Sequence, residues 1–489
     1  MRRPMAKKVF AASMAAAMTL SVAACGDTTT SVSESTETST SETEASVSES
    51  TSTEEEVSPY TVLKDENGEV YDLGGMEIII RDWWSGDGTV SEPSSAYEEA
   101  QQEWREWIQE TYNFTVKQVG ISDWGSAPAD FAEYATTGGD ENYVFIIRED
   151  PAVASAVNNG LAYDLATLDC LDLTSPKYTR NTVAETWTFG DSVYMLNTGY
   201  SEPRTGIFFN KRVLSEAGID PESIYDLWEN GEWTWDKFDE ICATVQRDTD
   251  NDGTDDIYGL TLNEGDGTLA AVFSNNACLV DKNDDGTFRL ALEDANTLEA
   301  LNWIVDMFAK YDNHDPEGAN WDYYKEEFMS GTVAFMVEGF YCGANNGYLM
   351  DMEDEVGFVM FPKGPQGRYT NVYSDNLVCI PSCYDAEKAW NIAFAFDLWT
   401  DEPAGYEDTN SQIDRARNGL YDERAVECVE YMMTPEGSSV EYHGQVPNLQ
   451  IGSEFTWNIN ATCDVSAVVE GIKDTWQGYI DAANASMGK

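Results

Sequence analysis

The chain has 489 residues, enough to bury a large core and to form two or three domains. Its 89 Asp and Glu against 28 Lys and Arg leave a formal net charge of −61, which excludes nucleic acid and an anionic membrane surface as partners because both would be repelled. Aromatic residues are plentiful, at 12%, and the excess of acids reads as a surface kept soluble outside the cell.

At the N-terminus, Arg2, Arg3, Lys7 and Lys8 precede an apolar stretch at residues 9–20, and Val22-Ala23-Ala24 places small residues before Cys25. That is the layout of an export signal. The stretch is short and broken by Ser13 and Thr19, which disfavours a spanning helix. Val22-Ala23-Ala24-Cys25-Gly26 resembles the lipobox of bacterial lipoproteins. The resemblance implies a signal peptide over residues 1–25, lipidation of Cys25, and attachment to the outer face of the cell membrane. Two or more acyl chains, at about 0.8 kcal/mol per buried methylene, would hold firmly. Residues 26–58 are mostly Ser, Thr and Glu without an aromatic residue. They cannot bury enough apolar surface to offset ordering, so a disordered tether with an r.m.s. reach of roughly 30 Å is expected.

Residues 60–73 read as a short hairpin turning at Asn67-Gly68. Residues 76–82, Met-Glu-Ile-Ile-Ile-Arg-Asp, are introduced by Gly74-Gly75 and ended by Ser85-Gly86, the pattern of a buried strand that stops at a loop. Trp83 and Trp84 follow that strand, where open α/β folds bind ligands. Neighbours on an extended backbone point opposite ways, so one ring is expected to face ligand and the other to pack inward. The spacing of Tyr97, Ala100, Gln101, Trp104, Trp107 and Ile108 predicts a helix over 94–112. A strand over 114–119, a helix over 131–137, a strand over 143–147 and a helix over 151–159 come next. This alternation implies a mainly parallel sheet with both faces covered.

Further on, Phe189-Gly190-Asp191-Ser192-Val193-Tyr194 reads as a turn between strands, and Gly206-Ile207-Phe208-Phe209-Asn210-Lys211-Arg212-Val213-Leu214 as a strand feeding a helix. Ala217-Gly218-Ile219-Asp220 and Trp233-Thr234-Trp235-Asp236-Lys237-Phe238 follow, with Thr234 as the expected N-cap. Later come Asp285-Gly286-Thr287-Phe288, a helix over 296–308, Phe328-Met329-Ser330-Gly331-Thr332-Val333-Ala334-Phe335-Met336 with Glu338-Gly339-Phe340, and Asn376-Leu377-Val378-Cys379-Ile380-Pro381 before a helix over 387–399. In this fixed order the motifs resemble the extracellular solute-binding protein family of sugar-type ABC importers, the maltose-binding-protein-like group. The resemblance covers residues 74–399.

The resemblance implies an α/β, two-lobed periplasmic-binding-protein-like fold with hinge crossings and an interlobe cleft. Carried over by position, the first lobe comprises residues 59–198 and 376–400, and the second comprises 199–375 and a helical C-terminal part at 401–489. Crossings are expected near 196–204, near 373–377 and after Trp399. The implied function is capture of a carbohydrate, an oligosaccharide, by hinged closure, and delivery to an ABC permease by a monomeric, non-enzymatic receptor.

A sugar cleft needs flat aromatics against C–H faces and planar polar groups for hydroxyls. Candidates on loops at strand ends are Asp82, Trp83, Trp84, Trp124, Glu338, Phe340, Tyr341, Tyr373, Ser374, Asp375 and Asn376. Trp84, Trp83, Glu338, Tyr341 and Asp375 rank first. Trp124 is either a cleft or a surface residue, residues 321–324 are either a helix packing face or cleft, and Trp187, Trp228 and Trp303 read as core. Asp248, Asp250, Asp252, Thr254 and Asp256 alternate as in an EF-hand-type calcium loop, but position twelve is Gly259. The loop is therefore a structural calcium site or an acidic turn without an ion, and no cofactor is required. Residues 281–286, with a similar opening, read as a hairpin turn.

After Cys25 come Cys170, Cys242, Cys278, Cys342, Cys379, Cys383, Cys428 and Cys463, widely spaced without a Cys-x-x-Cys pair. Neither a zinc site nor a small disulfide framework is indicated, and pairing stays open. Two histidines without metal-ligand spacing, and the absence of a nucleophile elbow or phosphate loop, give catalysis little support. A secreted glycosidase or a cell-surface glycan adhesin is the competing reading.

Overall fold

The computed structural model describes residues 60–90, 92–93, 95–148, 151–181, 187–312, 320–372 and 376–487. The proposed signal and tether with Cys25, and the candidates Tyr373, Ser374 and Asp375, lie outside the described residues. Eight strands form the two main sheets: β1 (Met76–Asp82), β2 (Phe114–Gly120), β3 (Tyr143–Ile147), β4 (Thr205–Asn210), β5 (Tyr258–Leu262), β6 (Val333–Gly339), β7 (Val356–Met360) and β8 (Leu377–Cys379).

The first sheet has the order β8-β3-β1-β2. Its three N-terminal strands are parallel, in a register that runs from Met76 opposite Phe114 to Asp82 opposite Gly120. β8 enters antiparallel to β3 from far along the chain. Alternate residues of β1, Ile78 and Ile80, are buried with Ile108, Tyr112, Phe114, Ile392 and Phe396 on one face of the sheet. Phe131, Phe145, Ile147, Val153, Trp187 and Leu377 form a second buried cluster. The helices that cover the sheet start where their caps dictate. Ser95 Oγ accepts the Glu98 N–H in front of the helix Ala96–Tyr112, and Asn113 ends it at φ 54°. The helix Ala127–Thr137 begins earlier than its apolar spacing suggests, because Pro128 is tolerated in a first turn whose N–H groups have no helical partner. Residues 60–73 form one turn closed by a Lys64–Val70 bridge, with Asp65 Oδ1 accepting the Asn67 and Glu69 N–H groups.

The second sheet has the order β7-β4-β6-β5, with β4 antiparallel to both β7 and β6, and β6 parallel to β5. β6 is buried along its whole length, as expected of a central strand covered on both faces. Phe238, Leu301, Ile304, Phe335, Phe358, Val426, Met432, Trp476 and Ile480 share its core, so the helices Glu423–Met432 and Val465–Met487 complete this lobe. Trp303 stacks on Trp235 at 4.3 Å and 6°, Trp228 is half-buried against the same core, and Thr234 caps the helix Trp235–Val245.

Two segments pass side by side between the sheets. Leu196 and Val378 exchange reciprocal backbone hydrogen bonds of 3.2 and 2.7 Å, and the Arg204 N–H donates to Asn371 Oδ1 at 3.0 Å. All eight later cysteines are free thiols, four of them buried. Among the described residues no helix is long and apolar enough to cross a membrane.

Close approach across the second sheet requires glycine at two positions. A β-carbon on Gly357 would lie 2.1 Å from the Phe209 ring, and one on Gly206 would lie 2.4 Å from the Phe358 ring. Gly357→Ala is therefore expected to destabilise the protein by about 1–3 kcal/mol through overpacking, read as a lowered urea midpoint; an unchanged midpoint would show that the ring moves aside freely.

Candidate functional site

A cleft of about 2140 Å³ opens between the lobes. From the first lobe it is lined by Ile80, Trp83, Trp84, Gln118, Trp124 and Arg148, and from the second by Asn263, Asp266, Trp321, Glu338, Tyr341 and Trp457, among others. Asn376 and Asn371, at the ends of the second crossing, also border it.

β1 delivers its tryptophans through a loop organised by Asp82. This carboxylate is buried and accepts the N–H groups of Trp84 (3.1 Å) and Ser85 (3.0 Å), the Ser85 hydroxyl, and Gln118 Nε2 (2.7 Å). Asp82 thus does not line the cleft; its oxygens are spent shaping the turn that follows the strand, which corrects its assignment as a contact residue. Trp83 is half-buried against the Phe131–Phe145 cluster, while Trp84 meets it edge to face at 4.9 Å and 83° and exposes its outer face. Trp124 carries the Arg148 guanidinium 3.9 Å above its ring centroid.

On the second lobe, Glu338 stands at the end of β6 with 2% of its surface exposed. Its carboxylate accepts the Tyr324 hydroxyl at 2.6 Å and the Gly339 N–H at 2.6 Å, and lies 3.5 Å from Lys325 Nζ. Lys325 is itself buried, donates to the Tyr341 hydroxyl at 3.1 Å, and lies between 4.7 and 5.7 Å from the ring centroids of Tyr348, Tyr324, Tyr341 and Trp321. Burial, reinforced by Glu338, pushes the phenols of Tyr324 and Tyr341 well up. Phe340 is a second correction. The chain enters a tight 3-10 turn after β6, which sends Tyr341 to the cleft and Phe340 into the core, 6.0 Å from the Phe358 ring centroid.

Several lining residues carry no sequence signal that separates them from core. Asp266 lies in the first turn of the helix Glu264–Ser274, whose N-cap Asn263 accepts the Gly265 and Asp266 N–H groups. It lines the cleft, and burial with the nearby Glu338 charge pushes its carboxyl up to about 7. Trp321 and Trp457 belong to segments whose periodicity is weak. Yet the four exposed tryptophans among the described residues, Trp84 (50%), Trp124 (56%), Trp321 (75%) and Trp457 (66%), all line this one cleft, two from each lobe.

Among the described residues, Asp248, Asp250 and Asp256 form the group of side chains able to hold a metal ion, with ligand oxygens within 4.8 Å of one another. Asp252 lies outside it and accepts the Thr254 N–H instead. The three acids also accept loop N–H groups, from Asn251 and Gly253 to Asp248, from Asp252 to Asp250, and from Thr249 to Asp256, so the turn is held by its own hydrogen bonds.

Residues 87–419 match the family described as bacterial extracellular solute-binding protein. Solved structures with the same fold include UgpB from Mycobacterium tuberculosis in complex with glycerophosphocholine, at 17% identity and a TM-score of 0.59 over 84% of this chain and 99% of that one. An ABC transporter solute-binding protein from Thermotoga lettingae bound with α-D-tagatose aligns at 15% identity and a TM-score of 0.56, over 84% and 99%. The ABC substrate-binding protein Lmo0181 from Listeria monocytogenes in complex with cycloalternan gives 15% and 0.55, over 85% and 99%. No curated protein matches significantly in sequence.

Because Asp82 orders the loop that presents both tryptophans, Asp82→Ala is expected to cost about 1–3 kcal/mol by orphaning its donors and to alter the near-ultraviolet circular dichroism of Trp83 and Trp84. A spectrum and melting temperature matching wild type would remove Asp82 from this role.

Proposed function

Since the chain belongs to the bacterial extracellular solute-binding protein family, we propose that it is the lipid-anchored receptor of an ABC importer, a monomer that captures an oligosaccharide by hinged closure of its two lobes and hands it to the permease. The observation that carries this reading is the set of four exposed tryptophans facing one cleft from both lobes. Exposed indole faces are rare on soluble proteins, and each offers a flat apolar platform for a sugar ring, worth about 0.5–1.5 kcal/mol beyond the area it buries. Platforms on both lobes suit a ligand of several rings. Only contacts made to both lobes at once shift the equilibrium toward a closed state, which the permease would recognise.

The tagatose and cycloalternan complexes of structures with this fold support a sugar as the ligand. The lipobox-like sequence before Cys25 supports the anchor. The first test is a panel of linear gluco-, xylo- and manno-oligosaccharides followed by calorimetry and product analysis. Tight 1:1 binding without product is expected, whereas turnover would establish the glycosidase reading. Trp84→Ala should weaken binding about tenfold, equivalent to about 1.4 kcal/mol, with its melting temperature unchanged; undiminished affinity takes Trp84 out of the site. Cys25→Ser should release the protein into the medium, and palmitate labelling with membrane retention in that variant would refute the anchor.

A further inference from the structure

The arginines and the lysine that line the cleft differ in how completely the protein engages them. Lys325 is ringed by aromatic side chains and lies 3.5 Å from Glu338, Arg204 pairs with Glu202 at 3.1 Å, and the Arg148 guanidinium rests on the Trp124 ring. Arg105 and Arg415 differ from these. Among the described residues Arg105 forms no ion pair and donates once from its side chain, from Nε to the Trp399 carbonyl oxygen at 3.3 Å, with its guanidinium 4.1 Å from the Trp399 ring centroid. Its two terminal nitrogens have no protein acceptor. Arg415 gives Nη1 to Glu202 at 2.7 Å and to Gln412 at 2.9 Å, which leaves its Nη2 and Nε without one. None of these open nitrogens is sealed from solvent. Half-burial strips water from the Arg105 guanidinium and pulls its pKa down to about 10, which Tyr97 and Glu402 offset only in part. Glu402 accepts the Tyr97 hydroxyl at 2.6 Å and stays beyond ion-pairing distance of Arg105.

The two side chains belong to different lobes and flank the segments that join them. Arg105, on the helix Ala96–Tyr112 of the first lobe, lies over Trp399, the last residue of the helix Ala386–Trp399, from which the chain passes to the second lobe. Arg415, on the helix Ser411–Leu420 of the second lobe, holds Glu202 in the segment that runs from Leu196 into β4. Resting on the carbohydrate reading above, we propose that this end of the cleft binds an anionic substituent of the sugar, a carboxylate or a phosphate, between the guanidinium groups of Arg105 and Arg415. A guanidinium presents N–H donors in a planar fork that matches two oxygens of such a group, and charge-assisted bonds of this kind are about twice as strong as neutral ones. The hydration that Arg105 has lost is replaced at the same time. An anion held by both lobes at once makes contacts that separated lobes cannot, so it biases the protein toward closure. The net charge of −61 opposes this ligand only weakly. Repulsion grows with the charge of the partner and is screened beyond about 8 Å at physiological salt, so a polyanion is turned away while a single substituent in contact with two arginines is held.

The test titrates the purified full chain calorimetrically with each neutral gluco-, xylo- and manno-oligosaccharide, with its counterpart carrying one uronate, and with its counterpart carrying one phosphate monoester, at low and at high salt. A charged member should bind about tenfold or more tighter than its neutral counterpart at low salt and lose part of that advantage at high salt. Whether the uronate or the phosphate series shows it identifies the substituent. Arg105→Gln should bring the charged and neutral members to equal affinity, and Arg105→Lys, which keeps the charge without the fork, should restore part of the difference. Arg415→Gln reads the same difference from the other lobe, and a cooperative melt of each variant separates lost recognition from misfolding. Equal affinity of wild type for neutral and charged members, or a preference for the charged member that survives either glutamine substitution in a folded variant, overturns the proposal while leaving carbohydrate capture standing. A panel without any binder, neutral or charged, overturns the carbohydrate reading and this inference with it.

Discussion

Each four-stranded sheet has to cover both of its faces, and the chain meets that requirement twice, with separate cores. The two lobes therefore do not share a core, and the space where their strand ends meet is left as a cleft. Its position follows from the parallel strands. β1 and β6 both end at it: Glu338 reaches it from the last residues of β6, and the loops after the two strands carry Trp83, Trp84 and Tyr341 to its walls. The lobes are joined through neighbouring segments, of which Leu196 and Val378 exchange paired backbone hydrogen bonds.

The walls combine two expensive features. Four large indole faces are left in contact with water, and several charges are drawn out of it. The protein contains the second cost by pairing. Lys325 is enclosed by aromatic rings and Glu338, and Arg204 and Arg415 share Glu202. These pairings hold the rings in place before ligand arrives, which lowers the entropy lost on binding. What the walls leave open is chiefly the four exposed indole faces.

The strong acid excess plays no part in this constellation. Near the cleft, Arg105, Arg148, Arg204, Lys325 and Arg415 stand among the acids, so the site is mixed in charge although the chain as a whole is not. Net charge governs solubility and repulsion from anionic surfaces, whereas recognition depends on which few groups lack a partner within the protein.

The sequence alone determined the order and type of the main elements, because burial on one face imposes a period of two on β1 and of 3.6 on the helix Ala96–Tyr112, and caps such as Thr234 mark their ends. It also singled out Trp84, which follows β1, and Glu338, which lies near the end of β6. Tertiary structure alone decided which face each side chain meets. Asp82 and Phe340 sit beside cleft residues in sequence but turn inward, the first to hold a loop and the second to fill a core. Trp321, Trp457 and Asp266 come from segments far apart in the chain and converge on one wall only once the second lobe is built. Local periodicity records that a residue is half-buried or exposed in its own element; it carries no information about the distant surface that faces it.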